Sequence, residues 1–357
     1  MADESLSRPL VPEGQTVCPP SPPEADLVRF IRSACRILLG REVSEGELAR
    51  WVGPPACSAT DIYFWLFASE ESERHRHGPK LFVPPGHYYS PIVDPAQIMA
   101  RAEAIFAAER ALPGIDLREA AQLQLVVELA AHGAQLPFTD ERQPDLRYYY
   151  DNPSFGAGDA IVLASMILAH RPSCIIEVGS GYSSAVMLDL LDRYPALATQ
   201  LSFIEPFPAV LHSLLRPGDL QRVTLHPLPV QQVDSSVFAA LRAGDILFID
   251  STHIVKTDSD VVHHLTRILP SLQAGVLVHF HDVFYPFEYP KIWVIDNNQS
   301  WNELYFLQAF LTNNAEYEIL FFNSFLGKKH RPTLKRHLPT MLKNPGGSLW
   351  LRKRALP

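Results

Sequence analysis

The stretch from Cys174 to Leu191 constrains the fold more than any other part of the sequence. Its first five residues, Cys174–Val178, are mainly apolar and β-branched, which predicts a short strand covered on both faces of a sheet. Gly179 and Gly181 then permit a sharp turn and a close approach between the backbone and a ligand. The apolar run Ala185–Leu191 predicts a helix directly after the turn, with its free N–H groups directed at whatever the turn binds.

Glu177 distinguishes this turn from one that binds phosphate. A carboxylate at the end of the first strand would repel a pyrophosphate, whereas it would attract a ligand with a cationic or hydroxyl-bearing group. Ser184 also stands where the dinucleotide-binding pattern Gly-x-Gly-x-x-Gly requires its third glycine. We therefore interpret the turn as a site for an adenosine ligand with a positive end, in preference to a dinucleotide.

Two further polar positions suggest how such a ligand would be held. Glu205 ends the next predicted strand, 28 positions beyond Glu177, where an acidic residue is placed to bind a ribose diol. The alternative for Glu205 is a solvated strand end. Gln231–Asp234 follows the third predicted strand and either reads an adenine amino group or forms an ordinary polar loop, and the sequence leaves these two alternatives open.

Strand and helix patterns alternate from residue 174 to about residue 281, which predicts a parallel sheet with crossover helices. Two late β-patterns indicate an antiparallel pair that closes one edge of the sheet. The predicted fold class is therefore α/β, a Rossmann-like sheet of seven strands preceded by an N-terminal helical region. The predicted strands lie near 174–178, 201–205, 222–226, 245–250, 275–281, 317–325 and 347–353.

Three regions of the chain differ in composition. Residues 1–24 are rich in Pro, Glu and Ser and are predicted to be disordered. Residues 25–144 carry amphipathic patterns, including a helix over Leu27–Leu39 and a second helix that begins at the capping box Ser44–Glu47. This helical region is expected to cap the main domain or to mediate a homodimer. Residues 145–357 are predicted to form the ligand-binding α/β domain.

Charge and composition exclude several classes of protein. The net charge of −8 comes without a basic stripe, so no nucleic-acid partner is expected. No run of about 18 apolar residues occurs in the sequence, so no membrane-spanning helix is expected. The acidic start lacks the apolar segment of a secretion signal, and the four cysteines lack the paired spacing of a disulfide framework or a zinc site. The expectation is a cytoplasmic protein with reduced thiols and a small-molecule partner.

Several motifs together resemble one family. Besides Ile176–Ser184 they are Gly158–Ala160, Phe248–His253, His279–Asp282, Phe287–Pro290 and Gly347–Trp350. Over about residues 145–353 the sequence is similar to the class I S-adenosylmethionine-dependent methyltransferases. Within that class it resembles stand-alone methyltransferases of bacterial small-molecule and glycan clusters, which are distantly related to macrolide-sugar O-methyltransferases.

The resemblance implies S-adenosylmethionine as the cofactor and methyl transfer to a hydroxyl or amine of a small molecule or sugar-containing metabolite. Two other functions stay open: a partner protein that binds S-adenosylmethionine without catalysis, and a different reaction on the same fold. The residues that the resemblance implies for the cofactor site are Asp159, Glu177, Gly179, Ser180, Gly181, Tyr182, Ser183, Ser184, Glu205 and Asp250.

The catalytic residues are expected at the carboxyl ends of the fourth and fifth strands, where open α/β sheets bind ligands. A hydroxyl or amine acceptor must lose a proton, either to a base or with help from a bound metal. Asp250 and His253 follow the fourth strand, and His281 and Asp282 follow the fifth. His281 is a candidate base, Asp282 a base, a metal ligand or a loop cap, and His253 a third catalytic candidate. His279 lies deeper on the same strand and is expected to be a core histidine.

A metal site is a further hypothesis. Asp250, His253 and Asp282 could bind Mg²⁺ through oxygen-rich ligands, although an imidazole is a poor match for so hard an ion. Catechol-type metal methyltransferases have an Asp–Asn pair where this chain has Asp282 followed by Val283, and that departure leaves the metal requirement open.

The aromatic segment Phe284–Trp293 follows the fifth strand directly. Tyr285, Phe287 and Tyr289 would line an apolar acceptor pocket if this segment forms a lid over the substrate. The alternative is ordinary packing of the same side chains against the final strands.

Overall fold

A computed structural model describes residues 24–52, 59–69, 71–72, 82–107 and 109–355. The predicted disordered segment, except for its last residue, lies outside the described residues, and so do two of the four cysteines. The chain divides into two compact units between Ser90 and Pro91. Residues 91–144, which the sequence assigns to the N-terminal helical region, therefore belong to the same compact unit as the sheet.

The first unit has a small helical core of its own. Its described helices are α1 (Glu24–Leu39), α2 (Glu45–Val52) and α3 (Ala59–Ala68). Their apolar faces meet around Ile31, Cys35 and Leu66, which are almost inaccessible to solvent. The capping box that begins α2 is present, since the Glu47 amide donates to Ser44 Oγ at 3.3 Å and the Ser44 amide donates to the Glu47 carboxylate at 2.9 Å.

The second unit is organised around a seven-stranded sheet. Its strands are β1 (Cys174–Val178), β2 (Gln200–Ile204), β3 (Val223–His226), β4 (Ile246–Ile249), β5 (Leu277–Phe280), β6 (Tyr317–Phe322) and β7 (Leu349–Lys353). Their order is β3-β2-β1-β4-β5-β7-β6; the first five are parallel, and β7 runs antiparallel to both β5 and β6. The predicted fold class, with its late antiparallel pair, is confirmed.

Helices connect these strands and precede them. In the second unit they are α4 (Pro95–Met99), α5 (Ala102–Ile105), α6 (Glu119–Gly133), α7 (Ala157–His170), α8 (Tyr182–Arg193), α9 (Ala209–Leu214), α10 (Ser235–Ala239), α11 (Asp260–His263), α12 (Leu269–Ser271), α13 (Lys291–Ile295), α14 (Glu303–Leu311), α15 (Asn323–Lys329) and α16 (Arg331–His337). Val126 and Leu129 of α6 are fully buried in the core of this unit. None of the helices in the described part of the chain combines the length and the apolar character that crossing a bilayer demands.

The strand order creates a switch point between β1 and β4. The chain moves outward from β1 to β3 and then returns to the other side of β1, so crossover connections diverge at this place and leave a crevice at the carboxyl ends of the strands. Val178 pairs with Ile249, and Ile249 pairs with Phe280, so β1, β4 and β5 end side by side. The segments that follow these three strands are therefore brought together at one edge.

Candidate active site

The turn after β1 is fixed between the neighbouring strands. The Gly179 amide donates to the Ile204 carbonyl at 3.0 Å, and the Asp250 amide donates to the Val178 carbonyl at 2.8 Å. Gly179 has a φ of +84°, and a Cβ at this position would overlap the Asp250 carbonyl oxygen. Only glycine fits here, because the turn both needs a left-handed backbone and touches the segment after β4.

Glu205 lies against the same turn. Its carboxylate accepts from the Ser180 amide at 3.2 Å and from the Phe207 amide at 2.7 Å, and the side chain is half-buried. The structure therefore brings together the predicted ribose carboxylate and the glycine turn. Tyr182 begins α8, and its ring meets the Tyr149 ring edge-on at 5.9 Å.

Glu177 is placed differently from the sequence interpretation. The side chain is completely buried, and it accepts hydrogen bonds from Ser183 Oγ at 2.6 Å and from Ser184 Oγ. Ser184 Oγ in turn accepts from the Gly181 amide at 3.0 Å. Both carboxylate oxygens are thus directed at the first turn of α8, so Glu177 shapes the turn and does not present a charge directly to a ligand.

Burial favours the protonated form of the Glu177 carboxyl group. Burial raises its pKa to about 8, because the bonds from the serine hydroxyls only partly offset the loss of hydration. The folded-state pKa lies above the ordinary value, so the stabilisation from the protonated form is complete below about pH 4.5 and is lost as the pH rises through about 8.

Replacing Glu177 by Gln should remove this pH dependence, since glutamine has nearly the same shape and no charge to bury. We expect the free energy of unfolding of E177Q, relative to the wild type, to rise by on the order of 4 kcal/mol between pH 5 and pH 8.5. Denaturant titrations of both proteins at the two pH values measure this difference. A difference that stays constant with pH would show that Glu177 is ionised in the folded protein.

Four residues that follow β4 and β5 form a cluster. His281 Nδ1 lies 3.3 Å from Asp250 Oδ1 and 3.6 Å from Asp282 Oδ1. His253 Nε2 lies 3.5 Å from Asp250 Oδ1 and 3.6 Å from Asp282 Oδ2. The three side chains that the sequence assigns to catalysis thus meet Asp250, which it assigns to the cofactor and metal sites, at the end of the sheet.

Two members of this cluster are held in a strained backbone conformation. His253 has a φ of +59° and Asp282 a φ of +57°, in the left-handed region that residues with a Cβ rarely adopt. Each such residue costs on the order of 1–3 kcal/mol, and such residues concentrate at functional sites. In this conformation His253 faces Asp250 and Asp282, and Asp282 faces His281.

Opposite charges control the protonation of the cluster. Burial alone would lower the pKa of His281, but Asp250 and Asp282 outweigh it and raise that pKa well above its ordinary value. Burial is likewise outweighed at His253, where Asp250 and Glu303 raise the pKa to about 10. Burial raises the pKa of Asp282, whereas His281 and His253 hold the pKa of Asp250 below its ordinary value despite burial. Both imidazoles therefore carry protons at neutral pH when no other cation is bound.

Asp159 faces Nε2 of His281, on the side of the ring opposite Asp250. It lies in the first turn of α7 and is buried, and its Oδ1 accepts from the Ser348 amide at 2.9 Å and from Ser348 Oγ at 2.6 Å. Its Oδ2 lies 3.5 Å from His281 Nε2. Asp159 therefore adjoins the four-residue cluster, and none of its described hydrogen bonds reaches the glycine turn with which the sequence grouped it.

His279 has the environment expected of a core histidine. It is inaccessible to solvent, its Nε2 shares a 2.8 Å hydrogen bond with Ser348 Oγ, and its ring stacks on Phe248 at 3.8 Å. None of the contacts described for Gln231–Asp234 reaches the glycine turn after β1. Asp234 caps α10 by accepting from the Ser236 amide, and Gln231 donates to the Asp258 carbonyl at 2.6 Å.

A cavity of about 550 Å³ opens beside the cluster, and His281 and Asp282 form part of its wall. Of the two alternatives left open for Tyr285, Phe287 and Tyr289, the structure has the packing one, because all three are buried in the core. Two other aromatic residues of the same segment do line the cavity. Its lining comprises Tyr150, Asp151, Asn152, Pro153, Ser154, Gly156, Ala157, Asp159, His281, Asp282, Phe284, Pro290, Trp293, Lys343, Asn344, Gly346 and Gly347.

Asp250, His253 and Asp282 also satisfy the geometry of a metal-binding set. One ligand atom from each lies within 4.8 Å of the others. Two carboxylates and an imidazole are a donor set that a divalent ion can share. Glu303 is a residue of this site that the sequence does not predict. Its Oε2 lies 2.8 Å from His253 Nδ1.

Known proteins resemble this chain in sequence and fold. A family model described as a methyltransferase domain matches residues 176–283. An uncharacterised protein of Archaeoglobus fulgidus is 32% identical over 187 residues, which make up 51% of this chain and 82% of that protein.

Solved structures of methyltransferases are more distant. The SAH-bound methyltransferase PaMTH1 of Podospora anserina is 16% identical, covering 78% of this chain and 100% of its own, with a TM-score of 0.36. The O-methyltransferase TomG of Streptomyces achromogenes, involved in tomaymycin synthesis and bound to SAM, is 13% identical over 72% of this chain and 96% of its own, with a TM-score of 0.37. A CmcI structure with Mg and SAM is 19% identical over 53% of this chain and 68% of its own, with a TM-score of 0.32.

Proposed function

Since this chain belongs to the class I S-adenosylmethionine-dependent methyltransferases, we propose that it methylates a hydroxyl or amine of a small, sugar-containing metabolite. One observation carries this proposal: the glycine turn and the 550 Å³ cavity meet at the same cluster. Gly179 touches the backbone of Asp250, the carboxylate of Asp250 lies 3.3 Å from His281, and His281 lines the cavity. Donor and acceptor sites on either side of this cluster would place the reacting groups together.

The turn after β1 fits the cofactor. Gly179 lets the turn lie directly against the backbone of Asp250, and Glu205 adjoins the turn with a half-buried carboxylate able to accept from a ribose diol. We propose that Ser180, Gly181 and Tyr182 hold the ligand beside them, while Glu177, Ser183 and Ser184 keep the turn in shape. S-adenosylmethionine supplies a methyl group on a sulfonium, which is transferred by in-line displacement.

The lining of the cavity favours a polar acceptor with an apolar face. Phe284 and Trp293, whose rings meet edge-on at 5.2 Å, offer an aromatic wall. Asp151 and Asn344 offer hydrogen-bonding groups elsewhere in the lining, whereas the side-chain amide of Asn152 is occupied by backbone groups of its own loop. A sugar ring combines C–H faces with hydroxyl groups and matches both surfaces, as small-molecule sites of this kind require.

In this proposal neutral His281 removes the proton of the acceptor with one ring nitrogen, while the carboxylate that faces the other nitrogen orients the ring; Asp250 lies 3.3 Å from Nδ1 and Asp159 lies 3.5 Å from Nε2. Asp282 adjoins the same acceptor position from the cavity wall and is the second candidate for the base. General acid–base catalysis of this kind is worth about 10²- to 10⁴-fold in rate.

The rate of methyl transfer should therefore rise with pH. Asp250 and Asp282 raise the pKa of His281 well above its ordinary value, and an imidazolium must lose its proton before it can accept another. We expect the turnover rate to increase by up to about tenfold per pH unit from about pH 6 to pH 8. Steady-state rates across this range give the profile. A flat profile above pH 6 would remove His281 from the role of base and leave Asp282.

A divalent cation is compatible with the same site. Asp250, His253 and Asp282 would hold it, and a bound cation there would make an acceptor hydroxyl easier to deprotonate. The hypothesis from the sequence is that this ion is Mg²⁺. Chelation followed by restoration of the ion tests whether turnover needs it.

The substrate class is tested by transfer of a labelled methyl group from S-adenosylmethionine to a panel of sugars, aminosugars and glycosylated metabolites. We expect label in at least one sugar-containing product, and we expect Trp293→Ala to raise the KM for that acceptor by about tenfold or more, given the area an aromatic wall buries. Ile292→Ala, on the exposed side of the same helix, is the control. Label found only in acceptors without a sugar would contradict the substrate assignment.

A further inference from the structure

Glu303 holds His253 through two separate contacts. It begins α14 and is 2% exposed, and its Oε2 lies 2.8 Å from His253 Nδ1. The amides of Glu303 and Asn302 both donate to the His253 carbonyl, each at 3.1 Å. The start of α14 therefore fixes both the backbone and the ring of a residue that lies 50 positions earlier in the chain.

The ring of His253 is confined on its other sides as well. Trp301 lies against it with a centroid distance of 4.4 Å, and the backbone has a φ of +59°. Its Nε2 faces Asp250 at 3.5 Å and Asp282 at 3.6 Å. These distances exceed the 2.7–3.2 Å of well-formed hydrogen bonds. A buried nitrogen is thus directed into a gap between two carboxylates.

The bond to Glu303 decides which nitrogen of His253 can act as a ligand. A carboxylate that accepts from Nδ1–H fixes the tautomer in which Nε2 has the free lone pair, and this carboxylate–histidine arrangement orients most metal-bound histidines. The cluster and its two acidic neighbours, Asp159 and Glu303, together carry four carboxylates but only two imidazoles. An added divalent cation would reduce that excess of negative charge.

We propose that Glu303 is a positioning residue for a transition-metal site formed by His253 Nε2 with Asp250 and Asp282, and that this site binds Mn²⁺ in preference to Mg²⁺. The inference rests on the proposed function, because it specifies the cation of that same site. Mg²⁺ prefers an all-oxygen shell and retains its water, whereas first-row transition ions bind imidazole nitrogen more readily, and Mn²⁺ is the one of these ions that also suits carboxylate oxygen.

Titration of the full-length protein with Mn²⁺, followed by the EPR signal of the free ion, tests the proposal without any need for turnover. We expect Glu303→Gln to weaken Mn²⁺ binding by about 10- to 100-fold, as is typical when the residue behind a metal-bound histidine is changed. Glu318→Gln is the matched control. Glu318 lies on β6 and is a half-buried carboxylate that pairs with Arg118 and Arg352. Competition with Mg²⁺ should show at least about tenfold weaker binding of Mg²⁺ by the wild type.

A double-mutant cycle separates positioning from a general structural effect. Glu303 acts through His253, so Glu303→Gln should cause no further loss of Mn²⁺ affinity in the His253→Gln background. The nitrogen coupling in the pulsed EPR spectrum of bound Mn²⁺ should be present in the wild type and absent in H253Q. Circular dichroism and thermal melts establish that each variant is folded.

Mn²⁺ affinity within twofold of wild type in folded E303Q, equal binding of Mg²⁺ and Mn²⁺, or nitrogen coupling that persists in H253Q would each overturn the proposal. The absence of binding at millimolar Mn²⁺ would do so as well. Failure of the proposed function has a different signature, namely Mn²⁺ binding as expected with no methyl transfer from S-adenosylmethionine.

Discussion

Replacing His281 by Gln should lower the rate of methyl transfer by about 10²- to 10⁴-fold, the range over which a positioned base contributes to catalysis. The affinity for S-adenosylmethionine should stay within about threefold, because His281 is separated from the glycine turn by Asp250 and faces the cavity. Glutamine keeps a polar side chain of similar length between Asp159 and Asp250, so the fold should survive. Single-turnover rates and calorimetric titration with the cofactor measure the two effects separately.

His263→Gln is the matched control for this variant. His263 is a half-buried histidine at the end of α11, so it undergoes the same chemical change outside the cluster and the cavity. Wild-type turnover in H281Q would refute the base assignment. A parallel loss of cofactor affinity and turnover in H281Q would instead place His281 in the cofactor site.

Replacing Gly179 by Ala should weaken the binding of S-adenosylmethionine by about 10- to 100-fold or more. The new Cβ would overlap the Asp250 carbonyl oxygen, and a φ of +84° is unfavourable for alanine. Relief requires that the turn move away from β4, which would displace the peptide groups that we propose hold the cofactor. Overpacking of this kind costs about 1–3 kcal/mol or more, and a shift of about an ångström at a binding turn can cost about 100-fold in rate.

Gly244→Ala separates the clash from the cost of the backbone conformation. Gly244 has a φ of +90°, but a Cβ there meets nothing within 4 Å. This control should lose about 1 kcal/mol of stability and keep its affinity for the cofactor. Cofactor binding by G179A at wild-type affinity would show that the turn is not the cofactor site.

The positions of the strands and of the four clustered side chains could be predicted from the sequence because both depend on local signals. Short, mainly apolar segments of four to six residues mark most of the strands. Ligands bind at the carboxyl ends of parallel strands, and the residues after β4 and β5 lie together there. Asp250, His253, His281 and Asp282 meet for that reason. No knowledge of side-chain packing was needed.

Other features depend on contacts between distant parts of the chain. Glu303 reaches His253 across 50 positions, and nothing in its surrounding sequence marks a carboxylate that begins a helix and turns inward. Arg147 is similar: it is 3% exposed and bonds to Asp189 and Asp219, which lie 42 and 72 positions away. Such buried charges become visible only when the sheet has placed their partners.

The segment after β5 shows a third kind of limit. Phe284–Trp293 is mostly irregular, so no period of 2 or 3.6 indicates which aromatic side chains face inward. Phe284 and Trp293 line the cavity while Tyr285 and Phe287 enter the core, a division that the sequence does not decide. The contact between Glu177 and the next helix, in contrast, can be predicted from the sequence. Two serines, six and seven positions later, begin that helix within reach of the carboxylate.

Calorimetric titration of the wild-type protein with S-adenosylmethionine tests the central claim most directly, since the glycine turn, Glu205 and the cluster beside them are all interpreted through this ligand. We expect saturable binding to one site per chain, with a dissociation constant in the range of about 1 μM to 1 mM, together with an increase in the melting temperature as the ligand concentration rises. No heat of binding and no change in melting temperature at millimolar S-adenosylmethionine would contradict it.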